Sequence, residues 1–273
     1  MGTQIKNIGI KISNKIKNFR ITRSVFAYPY VLFLMLFVIM PLIILLINAF
    51  MVNDELSLKN FSDFMTDGSN VQTLTFSLLI GLITTALCIL IGYPIAYILS
   101  KWSSGRVIVL LFILPMWVNF LIRTLSTRFM FDAIGIKLGV ETLIFGLVYN
   151  YIPFMILPLH TTLSNIDKSY TEAASDLGAN HLSTFFKVTF PLSIPGILSG
   201  VTMVFIPTIS TFAISQFLGG TSSYLFGDSI ERKFMHQLYG VGSVMSIIML
   251  AFVLIANYFM RKSNKGEASR NLW

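Results

Sequence analysis

Long runs without a charged side chain alternate along this chain with short polar stretches. A helix rising 1.5 Å per residue needs ~20 apolar residues to cross the hydrocarbon of a bilayer. On that rule the pattern predicts an all-α membrane protein with six transmembrane helices, over about 27–50, 72–99, 107–128, 142–163, 195–218 and 241–260. Prolines punctuate these spans, among them Pro41, Pro94, Pro115, Pro153 and Pro207. Such kinks survive in membranes where neighbouring helices, hydroxyls or water satisfy the released carbonyls.

Ahead of the first span, residues 1–24 carry Lys6, Lys11, Lys15, Lys17, Arg20 and Arg23 and no acid. Ile5, Ile8, Ile12 and Ile16 recur between them at helical spacing, which fits an amphipathic helix on an anionic leaflet and, nearly as well, a basic tail. The spans then occupy residues 25–262, and residues 263–273 form a closing polar tail.

The longest polar interruption lies between the fourth and fifth spans, over residues 168–192. Ser169 stands three residues before Glu172, the spacing of a capping box that starts a helix. Gly178 suits a left-handed helix end. A second short run follows from Leu182, with Phe185, Phe186 and Thr189 near one face, and Pro191 is expected to close it. Ala173 and Ala174 permit close approach, while Glu172 and Asp176 share one face a turn apart. The element has the shape of a docking pad for a soluble partner; an ordinary connecting loop fits the spacing as well.

Composition agrees with a chain that lives in lipid: 55% of residues are hydrophobic and 12% charged. Charge placement then orients it. With the N-terminus inside, the inner segments hold 14 of the 20 basic residues and 4 of the 12 acids. Both termini and the polar pad are therefore expected in the cytoplasm. The single cysteine, Cys88, permits no internal disulfide and reads as a small packed residue.

Signatures of self-contained chemistry are missing. There is no phosphate-binding loop for ATP, no His-Glu-x-x-His zinc motif and no Gly-x-Ser-x-Gly elbow. The spans hold almost no acid, so no proton or sodium relay of a secondary transporter is visible. They offer neutral polar groups instead, including Asn119, Asn150, His160, Ser210, Thr211 and Gln216, most of which should bond across helices. Asp132, Glu141, Asp228 and Glu231 fall at the outer ends, beside Arg123, Arg128, Arg232 and Lys233. Singly each reads as interfacial charge; as a group the acids could rim a vestibule that concentrates a cation.

Glu172-Ala173-Ala174, then Gly178, then Pro191-Leu192, placed between spans four and five, resembles the EAA loop of binding-protein-dependent ABC importer permeases. Further stretches are similar to the polyamine branch of that family: Gly92–Tyr97, Leu114–Asn119, Leu121–Thr124, Gly146–Tyr149 and Leu218–Gly220. The lysine-rich start and the short outer loop at 51–70 depart from it.

The resemblance implies a type I ABC importer permease fold, with coupling helices between spans four and five. It implies a plasma-membrane subunit that is not itself an enzyme, moving spermidine or putrescine inward. ATP and magnesium would be bound by a cytoplasmic ATPase dimer (PotA-like). A second permease (PotC-like) would complete the pathway and an extracellular polyamine-binding protein (PotD-like) would deliver the solute; nucleic acid has no part. Glu172, Ala173, Ala174, Asp176, Gly178 and Leu182 would couple to the ATPase. Asp228 and Glu231, with Asn119, Tyr151 and Phe205 further in, are the candidates for solute contact, because an aromatic face can hold an ammonium group. The same scaffold would also suit another small solute, such as an iron chelate or a thiamine-like cation; a secondary transporter or a membrane enzyme fits less well.

Overall fold

The computed structural model describes residues 27–52, 55–102, 105–220 and 223–270; the basic segment expected over 1–24 lies outside them. The chain divides into two units after Asn48. Among the described residues, the first holds most of α1 (Tyr28–Phe50), an apolar helix with one wide π turn at Met35–Ile39.

The second unit begins with a short antiparallel pair, β1 (Met51–Val52) and β2 (Glu55–Leu56), and the small helix α2 (Lys59–Thr66). Asn60 Nδ2 donates to the carbonyls of Ala49 and Met51, both at 3.1 Å, which fixes α2 against this turn. Next come α3 (Gly68–Lys101), the pair α4 (Gly105–Trp117) and α5 (Phe120–Ala133), and α6 (Val140–Ser164). The pad helix α7 (Lys168–Asp176) leads into α8 (His181–Ser210), followed by α9 (Ala213–Leu218), α10 (Phe226–Met235) and α11 (Tyr239–Arg270). Among the described residues five helices are long and apolar enough to cross a membrane, or six if α4 and α5 form one bent span.

The centre of the second unit is α3, α6 and α8. Cys88, Tyr93 and Ala96 of α3 pack with Met155, Ile156 and Leu159 of α6 and Val204 of α8. Two glycines let α8 reach the α6 backbone: a Cβ at Gly196 would sit 3.1 Å from Pro158 O, and one at Gly200 would sit 2.5 Å from Met155 Sδ and 3.4 Å from Met155 O. Gly196 and Gly200 are four apart, the small-residue spacing that allows membrane helices to approach closely. A second cluster joins Ile80, Leu143 and Leu147 to Ile214, Leu218 and Leu225. A third sets Phe64 edge-on to Phe226 beside Val244 and Met245.

Three spans differ from their hydrophobic pattern. The stretch expected to cross over 107–128 is broken at Val118–Asn119, and its halves meet at 87°. Asn119 adopts ψ 130° and its Oδ1 accepts from the Leu121 N–H at 2.8 Å, so a side-chain cap replaces helix continuity. The stretch expected over 195–218 ends at Ser210 and restarts at Ala213 as α9. At its other end Pro191 closes nothing, because α8 runs through it from His181. The π turn at Phe185–Thr189 explains this: Phe190 N–H bonds back five residues to Phe185 O, and the widened ladder accommodates a residue that has no N–H to give. Pro41 follows the π turn of α1 at the same interval. Finally, α11 extends as helix to Arg270, beyond the expected 241–260.

Candidate functional site

The pad begins two residues earlier than the capping-box spacing suggests. Asp167, not Ser169, is the N-cap of α7, its Oδ1 accepting the Ser169 N–H at 2.9 Å. Those Ser169 hydrogen bonds hold the Asp167 carboxyl below its usual range. Gly178 ends the helix at φ +82°, with Ala179 N–H donating to Ala174 O and Gly178 N–H to Ser175 O. Asn180 then caps α8 through Ser183 N–H at 2.8 Å. Every chain reversal in the pad is thus set by local hydrogen bonds.

The pad's outer surface is open. Glu172, Ala173, Asp176 and Gly178 are exposed and Ala174 is half-buried. Leu177 and Leu182 are 89% and 71% exposed, beside an exposed Phe186 and Tyr170. Apolar side chains this open, flanked by two carboxylates, make a small adhesive surface. Its root is firm. The Phe185 ring meets Tyr93 and Tyr97 of α3 edge-on, at 5.8 and 5.3 Å between centroids. Tyr93 OH lies 2.9 Å from Ser193 Oγ of α8, which closes the joint.

α8 runs through that joint as one helix of 30 residues, about 45 Å at 1.5 Å per residue, from His181 to Ser210. There it walls a cavity of 490 Å³, within the size range of small-molecule sites. Both helix breaks open on this cavity: Asn119 and Phe120 from the α4–α5 corner, and Ser210 and Thr211 from the end of α8. Asn150, Tyr151 and Phe154 of α6 form another wall, and Arg123 of α5 lines it too. Arg123 Nε and Nη1 are shut from solvent and have no hydrogen-bond acceptor, while its guanidinium lies 5.7 Å from the Tyr149 ring.

The five residues expected at the solute therefore separate. Asn119 and Tyr151 share the cavity. Phe205 stands elsewhere, its ring 6.4 Å from Phe252 of α11 and against Gly81 of α3. Asp228 is not at an open rim: it is fully buried, Oδ2 accepting from Ser215 Oγ at 2.5 Å and from Leu225 N–H at 2.7 Å. It locks the start of α10 to α9, and burial pushes its carboxyl up to about 6 despite those hydrogen bonds. Glu231, half-buried, accepts from Gln216 Nε2. An acidic rim does not assemble from Asp228 and Glu231 here, because side chains of α9 already take both carboxylates.

Three contributors were not singled out by pattern. Phe185 enters the pattern only as one member of a helical face; the aromatic pair Phe185-Phe186 inside the pad is its signal. Arg123 read as interfacial charge and Asn150 as a polar group bonding across helices, since no local spacing tells which face meets a cavity.

Residues 88–267 match the family described as binding-protein-dependent transport system inner membrane component. The chain is 34% identical to the spermidine/putrescine transport system permease protein PotB of Escherichia coli (strain K12), covering 74% of this chain and 83% of that protein. It is 32% identical to the protein of the same name from Haemophilus influenzae, covering 85% of this chain and 90% of that protein. A bacterial ABC transporter involved in the import of the acidic polysaccharide alginate has a similar fold, with TM-score 0.65 at 15% identity over 92% of this chain and 99% of that one. Inward-facing MetNI, the methionine ABC transporter, gives 0.57 at 17% identity over 72% of this chain and 94% of that one. The fold is that of type I ABC importer permeases. A multi-pass membrane protein, the chain belongs to the family of binding-protein-dependent transport system inner membrane components.

Proposed function

We propose that this chain is the permease subunit of an ATP-binding-cassette importer that moves spermidine or putrescine into the cytoplasm. It would do so without hydrolysing ATP itself: a separate cytoplasmic ATPase dimer would bind ATP and magnesium and dock on α7 and the start of α8. Both termini and the pad would face the cytoplasm, as the lysine and arginine distribution implies. A second, similar permease would complete the pathway, and an extracellular binding protein would deliver the polyamine.

The observation that carries this reading is the continuity of α8. One helix joins the exposed pad, rooted by Phe185 between Tyr93 and Tyr97, to the cavity wall at Ser210. Displacement of the pad by an ATPase that changes shape would be transmitted along about 45 Å of helix to the cavity. The two permease states then shift in population because the ATPase contacts them differently. The polyamine assignment is supported by identity to the two PotB proteins.

One observation favours a different small solute on the same scaffold: Arg123, a cation, is the charged residue lining the cavity. The deciding experiment is ATP-dependent uptake of labelled putrescine by the complete complex in proteoliposomes, in competition with unlabelled polyamines, thiamine and ferric chelates. Competition by polyamines alone is expected. Uptake indifferent to them overturns the assignment.

A further inference from the structure

A residue lining the cavity carries a buried acceptor with nothing to accept from. Asn150 is 3% exposed and lines the cavity. Its Nδ2 donates to Gly146 O at 2.8 Å, one turn back on α6, which settles the amide orientation and leaves Oδ1 on the other side. That oxygen is buried and has no hydrogen-bond partner. A buried amide oxygen left unsatisfied is costly, and on the wall of a cavity it is a place where a donor brought by water, an ion or a ligand would be stabilised.

Two helix ends give the same cavity a polarity. The C-terminal end of α8, whose dipole is negative, reaches it at Ser210 and Thr211. The N-terminal end of α5, whose dipole is positive, reaches it at Phe120, and Arg123 adds a full charge to that side. Broken helices in transporters use their C-terminal ends for cations and their N-terminal ends for anions. Tyr151 and Phe154 line the cavity beside Asn150 and offer ring surface to a hydrocarbon chain or an ammonium group.

We infer that Asn150 Oδ1, with the end of α8, forms a subsite for one primary ammonium of an alkylamine, and that Arg123 keeps this subsite weak. The inference rests on the polyamine reading and deepens it. A neutral acceptor binds an ammonium less firmly than a carboxylate would, and a guanidinium in the same cavity lowers the affinity further through a medium that screens poorly. Weak binding suits a pathway: a solute held firmly here would leave slowly, whereas capture from dilute solution would belong to the external binding protein.

The test uses the complete complex, with putrescine as the probe. Retention is measured by equilibrium dialysis of the detergent-solubilised complex and uptake in proteoliposomes, with assembly followed by copurification. Asn150→Leu removes the acceptor at similar volume and should lower retention roughly tenfold or more, as for loss of a hydrogen bond to a charged group. Asn150→Asp should raise retention and slow turnover, and Arg123→Gln should raise retention with the native acceptor in place. Wild-type retention in both Asn150 variants would overturn the subsite, and unchanged retention in Arg123→Gln would overturn the role of the arginine. A wild-type complex that takes up no polyamine overturns the parent reading, whereas normal wild-type uptake with unaltered Asn150 variants overturns the subsite alone.

Discussion

Gly178 shows what a single position does in this molecule. Its φ of +82° is a left-handed conformation, yet a Cβ placed there would meet nothing within 4 Å. The requirement is one of backbone conformation, not of space. A β-branched side chain at such a position costs about 1–3 kcal/mol, whereas asparagine visits it readily. Gly178→Val should therefore lower coupled uptake in the reconstituted complex several-fold, and Gly178→Asn should stay near wild type. Equal uptake by both would remove the turn from the coupling argument. Asp228 makes the opposite point, because its surroundings set its behaviour. Unfolded, its carboxyl titrates near 3.8; folded, burial raises it to about 6. Between these values the folded state holds the proton more tightly, so stability falls as pH rises through that window and stays at the lower level above it. The cost at neutral pH is on the order of 3 kcal/mol. Asp228→Asn should flatten the thermal-unfolding profile between pH 4 and 7 and leave the pH 7 midpoint equal or higher. A profile as steep as wild type would show that another group sets it.

Among the elements, α8 departs most from a simple span. The hydrophobic run and its prolines were legible, and so were the pad's glycine turn and the existence of two helical pieces. The join between pad and span was not, because an α-helical rule stops at Pro191 and the π turn at Phe185–Thr189 lets the helix through. The break at Asn119 was hidden for a similar reason: apolar residues flank it on both sides, and only the side-chain cap on Leu121 N–H reveals the corner. Phe185 is the test of the joint. Phe185→Ala removes the edge-on contacts with Tyr93 and Tyr97, and large-to-small changes at buried phenylalanines cost about 3–5 kcal/mol, less where the ring is half-buried. The expected outcome is a complex that still copurifies with its ATPase but imports at a fraction of the wild-type rate. Normal coupled uptake would mean that force reaches α8 by another route.

For the whole molecule, the expectation concerns energy. On the proposed scheme the energy for uphill movement comes from a partner ATPase, not from this chain. Reconstituted alone in vesicles, it should equilibrate solute at most; adding the ATPase, the second permease and the binding protein should restore accumulation dependent on ATP. Accumulation by the isolated chain would contradict the coupling scheme.

Hydrophobic run length and the Glu-Ala-Ala…Gly motif were enough to settle that this is a helical membrane chain and to locate its pad, because both depend on residues close together in sequence. Which charges stay free and which acceptors stay orphaned was decided only in three dimensions. Asp228 is sequestered by Ser215 thirteen residues away, and Asn150 meets a cavity built by the broken ends of two other helices. The free energy of a polar group in a membrane protein depends on the partners packing brings to it, and the linear pattern carries no record of those partners.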